Sequence, residues 1–159
     1  EILDVSIYAK PEFNADQMEE IRLGLEKSLE VKWYANPQFD EFQMWQIRNG
    51  LILDLDVSLY ADPGFEWSKM QQIREGLIDG LDVSYYANIE LSWKQMEEIR
   101  RGLENKVEVS VYANPEFDAW QMFQIREGLK KGLNVESYLN PSINWKEMKS
   151  IRLELEGNK

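Results

Sequence analysis

One arginine recurs at a fixed interval of 26 residues along this 159-residue chain. A guanidinium group is planar and bonds carboxylates or phosphates through two donors, so such a row could hold an acidic ligand. A residue present in every copy of a repeat more often serves the scaffold, by bonding the carbonyls of the YANP turn or the recurrent acidic helix caps. We therefore expect a structural row, formed by Arg22, Arg48, Arg74, Arg100, Arg126 and Arg152.

A second group of residues places large apolar side chains where the repeat is otherwise polar. On a helical wheel centred on the recurrent Met, Ile and Leu stripe, the outer positions vary freely in charge and size between copies. The second copy fills them with apolar residues, and the fifth does so in part. Clustered surface aromatics mark partner contacts. The candidate partner-binding residues are Phe42, Trp45, Asn49, Ile52, Leu53, Trp120 and Phe123.

Local packing is the alternative interpretation for part of this group. Trp67, Trp93 and Trp145 stand at the first position of the helix in other copies. Phe42 and Trp120 lie one position later and could be displaced packing residues. That alternative leaves the other apolar candidates unexplained, so a contact with a partner, or with a second copy of the chain, is favoured.

Catalytic chemistry is not indicated by the composition. The chain has no histidine and no cysteine, which excludes Ser-His-Asp and Cys-His nucleophile systems and zinc sites built from those residues. Carboxylate pairs such as Glu19 with Glu20 and Glu97 with Glu98 are expected on solvated faces outside any pocket, and no calcium loop or phosphate-binding loop is present. We predict no catalytic residue, no metal and no cofactor.

The charge balance bears on partners and location. The 29 acidic residues against 18 basic ones give a formal charge of −11, which disfavours nucleic acid and anionic membranes as partners. No apolar run approaches the roughly 20 residues of a membrane span, and no charged-then-apolar leader opens the chain. We expect a soluble protein and favour the cytoplasm.

Each copy of the repeat contains two helix-start signals. The longer helix follows Asn, Asp, Ser or Glu, with Gln or Glu three residues later in five copies, which can close a capping box. Its stripe, for example Met18, Ile21 and Leu25, predicts about 13 residues, ended in two copies by Gly80 or Gly132.

A shorter helix of one to two turns is predicted in each copy, ended in five of them by the proline of the YANP turn. Val and Tyr line one of its faces, and a further apolar row points nearly opposite. We therefore expect it to be sandwiched between its own repeat and a neighbour. The outer row is Ile7, Trp33, Leu59, Tyr85 and Val111.

Two helices per repeat, neither able to bury its apolar face alone, predict an all-α fold, an α-solenoid forming a single repeat domain. The six repeats span approximately 3–28, 29–54, 55–80, 81–106, 107–132 and 133–159. A glycine inside the long helix predicts close approach of the next repeat, and the last copy replaces it with Glu154, as a terminal repeat permits. The first copy shows no such change. That difference, and a start at Glu1 rather than Met, would suit an excised piece that has lost a preceding repeat.

The pattern YANPxFDxxQMxxIRxGLxxG, as in Tyr112 to Gly132, resembles short tandem helical repeats of uncharacterised bacterial proteins associated with mobile elements. This resemblance implies a helical fold and no activity. The repeat is more loosely similar to leucine-rich variant repeats, which pair an α-helix with a short 3₁₀ element, although the period and the Gln-Met pair depart from them. The absence of insertions would also suit an engineered repeat protein.

The prediction for function is a non-enzymatic scaffold that binds a protein or peptide through its variable helical face. The alternative is a structural module that self-associates through the apolar patches of the second and fifth copies.

Overall fold

A computed structural model describes residues 4–158, and the regular secondary structure in that range is helical, with no strand. Six long helices confirm the predicted all-α class. They are α1 Ala15–Glu26, α2 Glu41–Ile52, α3 Trp67–Ile78, α4 Trp93–Glu104, α5 Ala119–Lys130 and α6 Trp145–Gly157. Five have 12 residues and α6 has 13, close to the expected 13.

The chain divides into two compact units at the predicted boundary between the third and fourth repeats, after Gly80. In the first unit α1 packs against α2, and α2 against α3. In the second unit α4 packs against α5, and α5 against α6. This consecutive packing of long helices is that of an α-solenoid, as predicted.

Capping boxes fix the start of four long helices. In α2 the Asp40 carboxylate accepts from the Gln43 N–H at 2.8 Å, and Gln43 Oε1 accepts from the Asp40 N–H at 2.8 Å. The same box opens α1, α4 and α5. The fifth predicted box is not closed: Asn144 caps α6, but Glu147 makes no return bond.

A residue in the left-handed backbone conformation follows the long helix in five copies. Gly80 and Gly132 have φ of +67° and +64°, which confirms them as stops. The equivalent residues Ser28, Asp54 and Lys106 adopt φ of 55–57° although none is glycine. The main chain therefore turns in the same way in five copies, including three in which the sequence carries no glycine signal.

The short element is a single 3₁₀ turn, not a helix of one to two turns. It spans Val5–Ile7, Val31–Trp33, Val57–Leu59, Val83–Tyr85 and Val109–Val111, and the sixth copy has only a turn at 136–138. The expected sandwich is wrong. One turn buries Val57 and Tyr60, but it leaves Leu59 on the outside with 42% of its surface exposed.

Close approach between neighbouring repeats confirms the prediction made from the glycines inside the long helices. Tyr34 is fully buried, and its hydroxyl donates to the Glu20 carbonyl of the preceding helix at 3.1 Å. Val31 and the Tyr34 hydroxyl fill the space beside Gly24 that a β-carbon would need. The first copy has no described helix before it, and its Val5 is 54% exposed.

The glutamine of each capping box also joins one repeat to the next. Gln43 Nε2 donates to the Phe65 carbonyl at 2.6 Å and to the Pro63 carbonyl at 3.1 Å. Gln17, Gln95 and Gln121 make equivalent pairs of bonds. One amide therefore caps its own helix and satisfies two carbonyls of the next turn, so it fixes the register between repeats.

Candidate functional site

Two members of the arginine row form ion pairs with the preceding long helix, one half-buried and one buried. Arg48 Nε lies 2.7 Å from Glu20 Oε2, and Arg126 Nε lies 2.9 Å from Glu98 Oε2. Each pair joins positions 28 residues apart. The expected partners, YANP carbonyls or acidic caps, are wrong, because helix stacking places these guanidinium groups beside the middle of the previous helix.

Two other members of the row donate to a glutamine side chain at the position that Glu20 and Glu98 occupy on the preceding helix. Arg74 Nε donates to Gln46 Oε1 at 2.8 Å, and Arg152 Nε donates to Gln124 Oε1 at 3.0 Å. Arg22 differs, since it pairs with Glu19 and Glu26 of its own helix. Arg100 also bonds within its helix, to Glu104 at 2.5 Å. These contacts are those that a structural row requires, and its contribution to stability stays a prediction.

Trp45 has a local partner on the next helix. The Arg74 guanidinium carbon lies 5.4 Å from the centroid of the Trp45 ring. Arg74 faces neutral Gln46 where Arg48 faces a carboxylate, so the electron-rich indole face supplies part of the missing attraction. Trp45 nevertheless remains 42% exposed, and Asn49 donates to its carbonyl at 2.8 Å.

An open groove lies between α1 and α2. Its volume is about 340 Å³. Its lining consists of carboxylates from both helices and two aromatic rings from α2: Asp16, Glu19, Glu20, Glu41, Phe42 and Trp45. We call this the first groove. Sequence reasoning placed Glu19 and Glu20 outside any pocket, which is wrong, because Phe42 and Trp45 rise beside them and form a wall.

The carboxylates of the first groove differ in their partners. Glu19 contacts Arg22 at 2.6 Å, which holds the pKa of Glu19 below its ordinary value. Glu20 is paired with Arg48. Among the described residues, the carboxylates of Asp16 and Glu41 form no hydrogen bond or ion pair. The lining of the groove therefore includes two carboxylates without a hydrogen-bond or ion-pair partner among the described residues.

A second groove lies between α4 and α5, at the equivalent positions three repeats later, and has a volume of about 270 Å³. It is lined by Trp93, Lys94, Glu97, Glu98, Arg101, Ala119, Trp120 and Phe123. The Trp120 ring lies 5.6 Å from that of Trp145 and 6.5 Å from that of Phe123. The pair Glu97 and Glu98 therefore also lines a groove, contrary to expectation.

The two grooves share their aromatic positions and differ in charge. Lys94 and Ala119 occupy the positions of Asp16 and Glu41. Arg101 bonds Glu97 at 2.7 Å and lies 3.5 Å from Glu98, so the second groove has its carboxylates matched by cations. One unit thus presents an acidic aromatic groove, and the other presents a neutralised one.

Other candidate residues and tryptophans are also exposed. Ile52 and Leu53 are exposed at the end of α2, outside the lining of both grooves. Trp67 is exposed and its ring lies 6.1 Å from that of Phe42. Trp93 is also exposed and lines the second groove. The sequence therefore predicted Trp67 and Trp93 to be packing residues, although both are exposed. Their signal is the first position of the long helix, one residue before the repeat position that Phe42 and Trp120 occupy.

Residues 4–158 contain no group of three His, Cys, Asp or Glu residues able to hold a metal ion. Within the same range, no helix has the length and apolar character to cross a membrane. Comparison of the chain with family models, curated proteins and solved structures gives no match.

Proposed function

We propose that this chain is a non-enzymatic repeat scaffold that binds a protein or peptide through the outer faces of its long helices. The observation that carries the proposal is the pair Phe42 and Trp45, which are 57% and 42% exposed and together line the first groove. The corresponding residues of α1 are the polar Asp16 and Glu19. A scaffold alone does not need these aromatic side chains at positions that four of the six copies fill with polar or charged residues.

The geometry of the second unit supports the same proposal. Trp120 is 61% exposed and stands at the position of Phe42, three repeats later. Exposed aromatics in a concave site contribute disproportionately to binding, because they bury a large apolar area on contact. Both grooves are therefore suited to receive side chains of a bound segment.

A random-peptide display library panned against the protein tests this proposal. Enriched peptides are then assayed on Trp45→Ala and on Leu59→Ala. The two variants remove equally exposed apolar side chains, since Trp45 and Leu59 are both 42% exposed, from the groove and from the 3₁₀ face respectively. We expect Trp45→Ala to weaken binding by about tenfold or more and Leu59→Ala to leave it unchanged. Equal effects of the two variants, or no enriched peptide, would reject the proposal.

Self-association is the second candidate function, favoured by the exposed cluster of Phe42, Trp45 and Trp67. Light scattering coupled to size-exclusion chromatography on the wild type and on Trp45→Glu distinguishes it. A dimer that the substitution splits would assign the cluster to self-association. A monomer in both samples would reject self-association and indicate that the cluster contacts a different partner.

A further inference from the structure

We infer that the first groove binds an arginine side chain of a basic peptide. This inference rests on the proposed function and names the chemistry of the partner at one of its two grooves. The groove volume of about 340 Å³ is at the small end of the range for ligand pockets, about 300–1,000 Å³, and suits one long side chain with its flanking backbone.

The charge of the lining selects a cation. Four carboxylates line the groove, and the guanidinium groups of Arg22 and Arg48 are bonded to Glu19 and Glu20. Asp16 and Glu41 come from different helices and make no ion pair among the described residues. A cation entering between them would supply the missing counter-charge without displacing either existing pair.

The aromatic wall selects a planar cation. Guanidinium groups stack on aromatic faces and bond carboxylates through two donors, and an ammonium group does neither as well. The protein already holds one arginine in this way, since the Arg74 guanidinium lies over the Trp45 ring. Phe42 offers a second exposed ring in the same groove. Rings and carboxylates together therefore favour arginine over lysine.

The second groove provides an internal comparison. It keeps aromatic residues at the positions of Phe42 and Trp45, but Lys94 replaces Asp16 of the first groove. Arg101 adds a second positive charge at the repeat position that Leu23 occupies in α1. If aromatic exposure alone attracted the peptide, both grooves would bind it. If the combination with unpaired carboxylates is required, only the first groove will.

Calorimetric titration with a hexa-arginine peptide, at about 0.15 M salt to screen distant charges, tests the inference. We expect one site on the wild type. Asp16→Asn combined with Glu41→Gln removes the unpaired carboxylates isosterically and should weaken binding about tenfold or more. The matched control is Glu12→Gln with Asp79→Asn, which removes the same charge from exposed positions outside the groove and should weaken binding less than about twofold.

Grafting the charge pattern gives a test that does not depend on loss of binding. Lys94→Asp, Arg101→Leu and Ala119→Glu together give the second groove the charges found at the equivalent positions of the first. The inference predicts that the number of hexa-arginine sites rises from one to two. Equal weakening by the two charge-neutralised variants, an unchanged site number in the graft, or no binding to the wild type would each overturn it.

Trp45→Ala separates failure of this inference from failure of the proposed function. If hexa-arginine does not bind but peptides from the display library still lose affinity with Trp45→Ala, the groove binds peptides and only the arginine assignment is wrong. If Trp45→Ala affects neither probe, both proposals fail.

Discussion

The hydroxyl of Tyr60 occupies the space that a side chain on Gly50 would need. A β-carbon built on Gly50 would lie 1.8 Å from Tyr60 Oη and 2.9 Å from Val57 Cγ1. That hydroxyl is buried and donates to the Gln46 carbonyl at 3.3 Å. The glycine inside α2 therefore allows the next repeat to insert its tyrosine against the helix backbone, and Gly24, Gly102 and Gly128 have the same relationship with their tyrosines.

Gly50→Ala should destabilise the protein by about 2 kcal/mol. Alanine gains about 1 kcal/mol of helix propensity, but overpacking against a buried tyrosine this close costs about 3 kcal/mol, the upper end of the usual range. Adding Tyr60→Phe to Gly50→Ala should recover part of the loss, because the nearest atom is removed. Chemical denaturation measures both effects. Gly157→Ala, which meets no atom within 4 Å, is the control and should not destabilise.

Gln43→Glu should cost about 2 kcal/mol of unfolding free energy, although glutamate is an accepted capping-box residue. The change keeps the acceptor for the Asp40 N–H but removes the donor to the Phe65 and Pro63 carbonyls and sets a carboxylate against them. The penalty should shrink as the pH falls towards about 4, because the two carbonyls raise the pKa of the new carboxyl above its value in the unfolded chain and a protonated glutamate can donate again. Unfolding in urea at two pH values measures both expectations.

Glu147→Gln is the matched control for that prediction. Glu147 occupies the equivalent position in α6, and no described helix follows α6. Stability should change by less than about 0.5 kcal/mol. A loss for Gln43→Glu no larger than the change at Glu147 would contradict the second role assigned to the glutamine.

Arg126→Met should destabilise the protein more than Arg74→Met does. Removing Arg126 leaves the buried carboxylate of Glu98 without its 2.9 Å partner, at a cost of about 3 kcal/mol. Removing Arg74 leaves only the neutral amide of Gln46 unpaired, at a cost of about 1–2 kcal/mol. Denaturant titration of both variants provides the comparison, and losses of equal size would contradict the assignment of an ion pair at one site and an amide at the other.

Stability should fall in alkali. Burial raises the pKa of Tyr34, Tyr60 and Tyr112 well above the ordinary value and raises the pKa of Tyr138 to about 12. In the unfolded chain these groups ionise near pH 10. The neutral phenols therefore stabilise the fold fully below about pH 10, and this contribution is lost as the pH rises through the folded-state pKa values.

Phenolate absorbance and circular dichroism, followed together during an alkaline titration, check this prediction. Ionisation of the buried tyrosines should coincide with loss of helix. Tyr138→Phe should weaken the alkaline dependence at little cost, because the Tyr138 hydroxyl is buried and has no hydrogen-bond partner. Ionisation of the buried tyrosines with the helices intact would contradict it.

Local chemistry predicted much of the fold. The Asp40 and Gln43 types at their spacing predict where α2 begins, and the structure places the box there. The apolar stripe and Gly80 likewise predict the extent and end of α3. These features depend on residues within one repeat, where sequence separation determines geometry.

The features that sequence reasoning missed depend on how neighbouring repeats stack. The second pair of bonds made by Gln43 reaches carbonyls 20 and 22 residues away, and the Arg126 ion pair spans 28 residues. Outward apolar residues such as Leu59 were expected to be covered, because periodicity predicts which face is apolar but not whether a neighbour reaches it. The first groove likewise depends on the rotation that brings Glu19 of α1 beside Trp45 of α2.

We propose that a bound peptide lies on the outer face of α2, beside Trp45. The most direct test follows the amide and indole N–H chemical shifts by NMR while an enriched peptide is added. We expect the largest shifts at the Trp45 indole, the amide of Phe42 and the facing amides of α1, with little change at Leu59. Largest shifts at Leu59 and the other 3₁₀ turns, with the Trp45 indole unmoved, would contradict it.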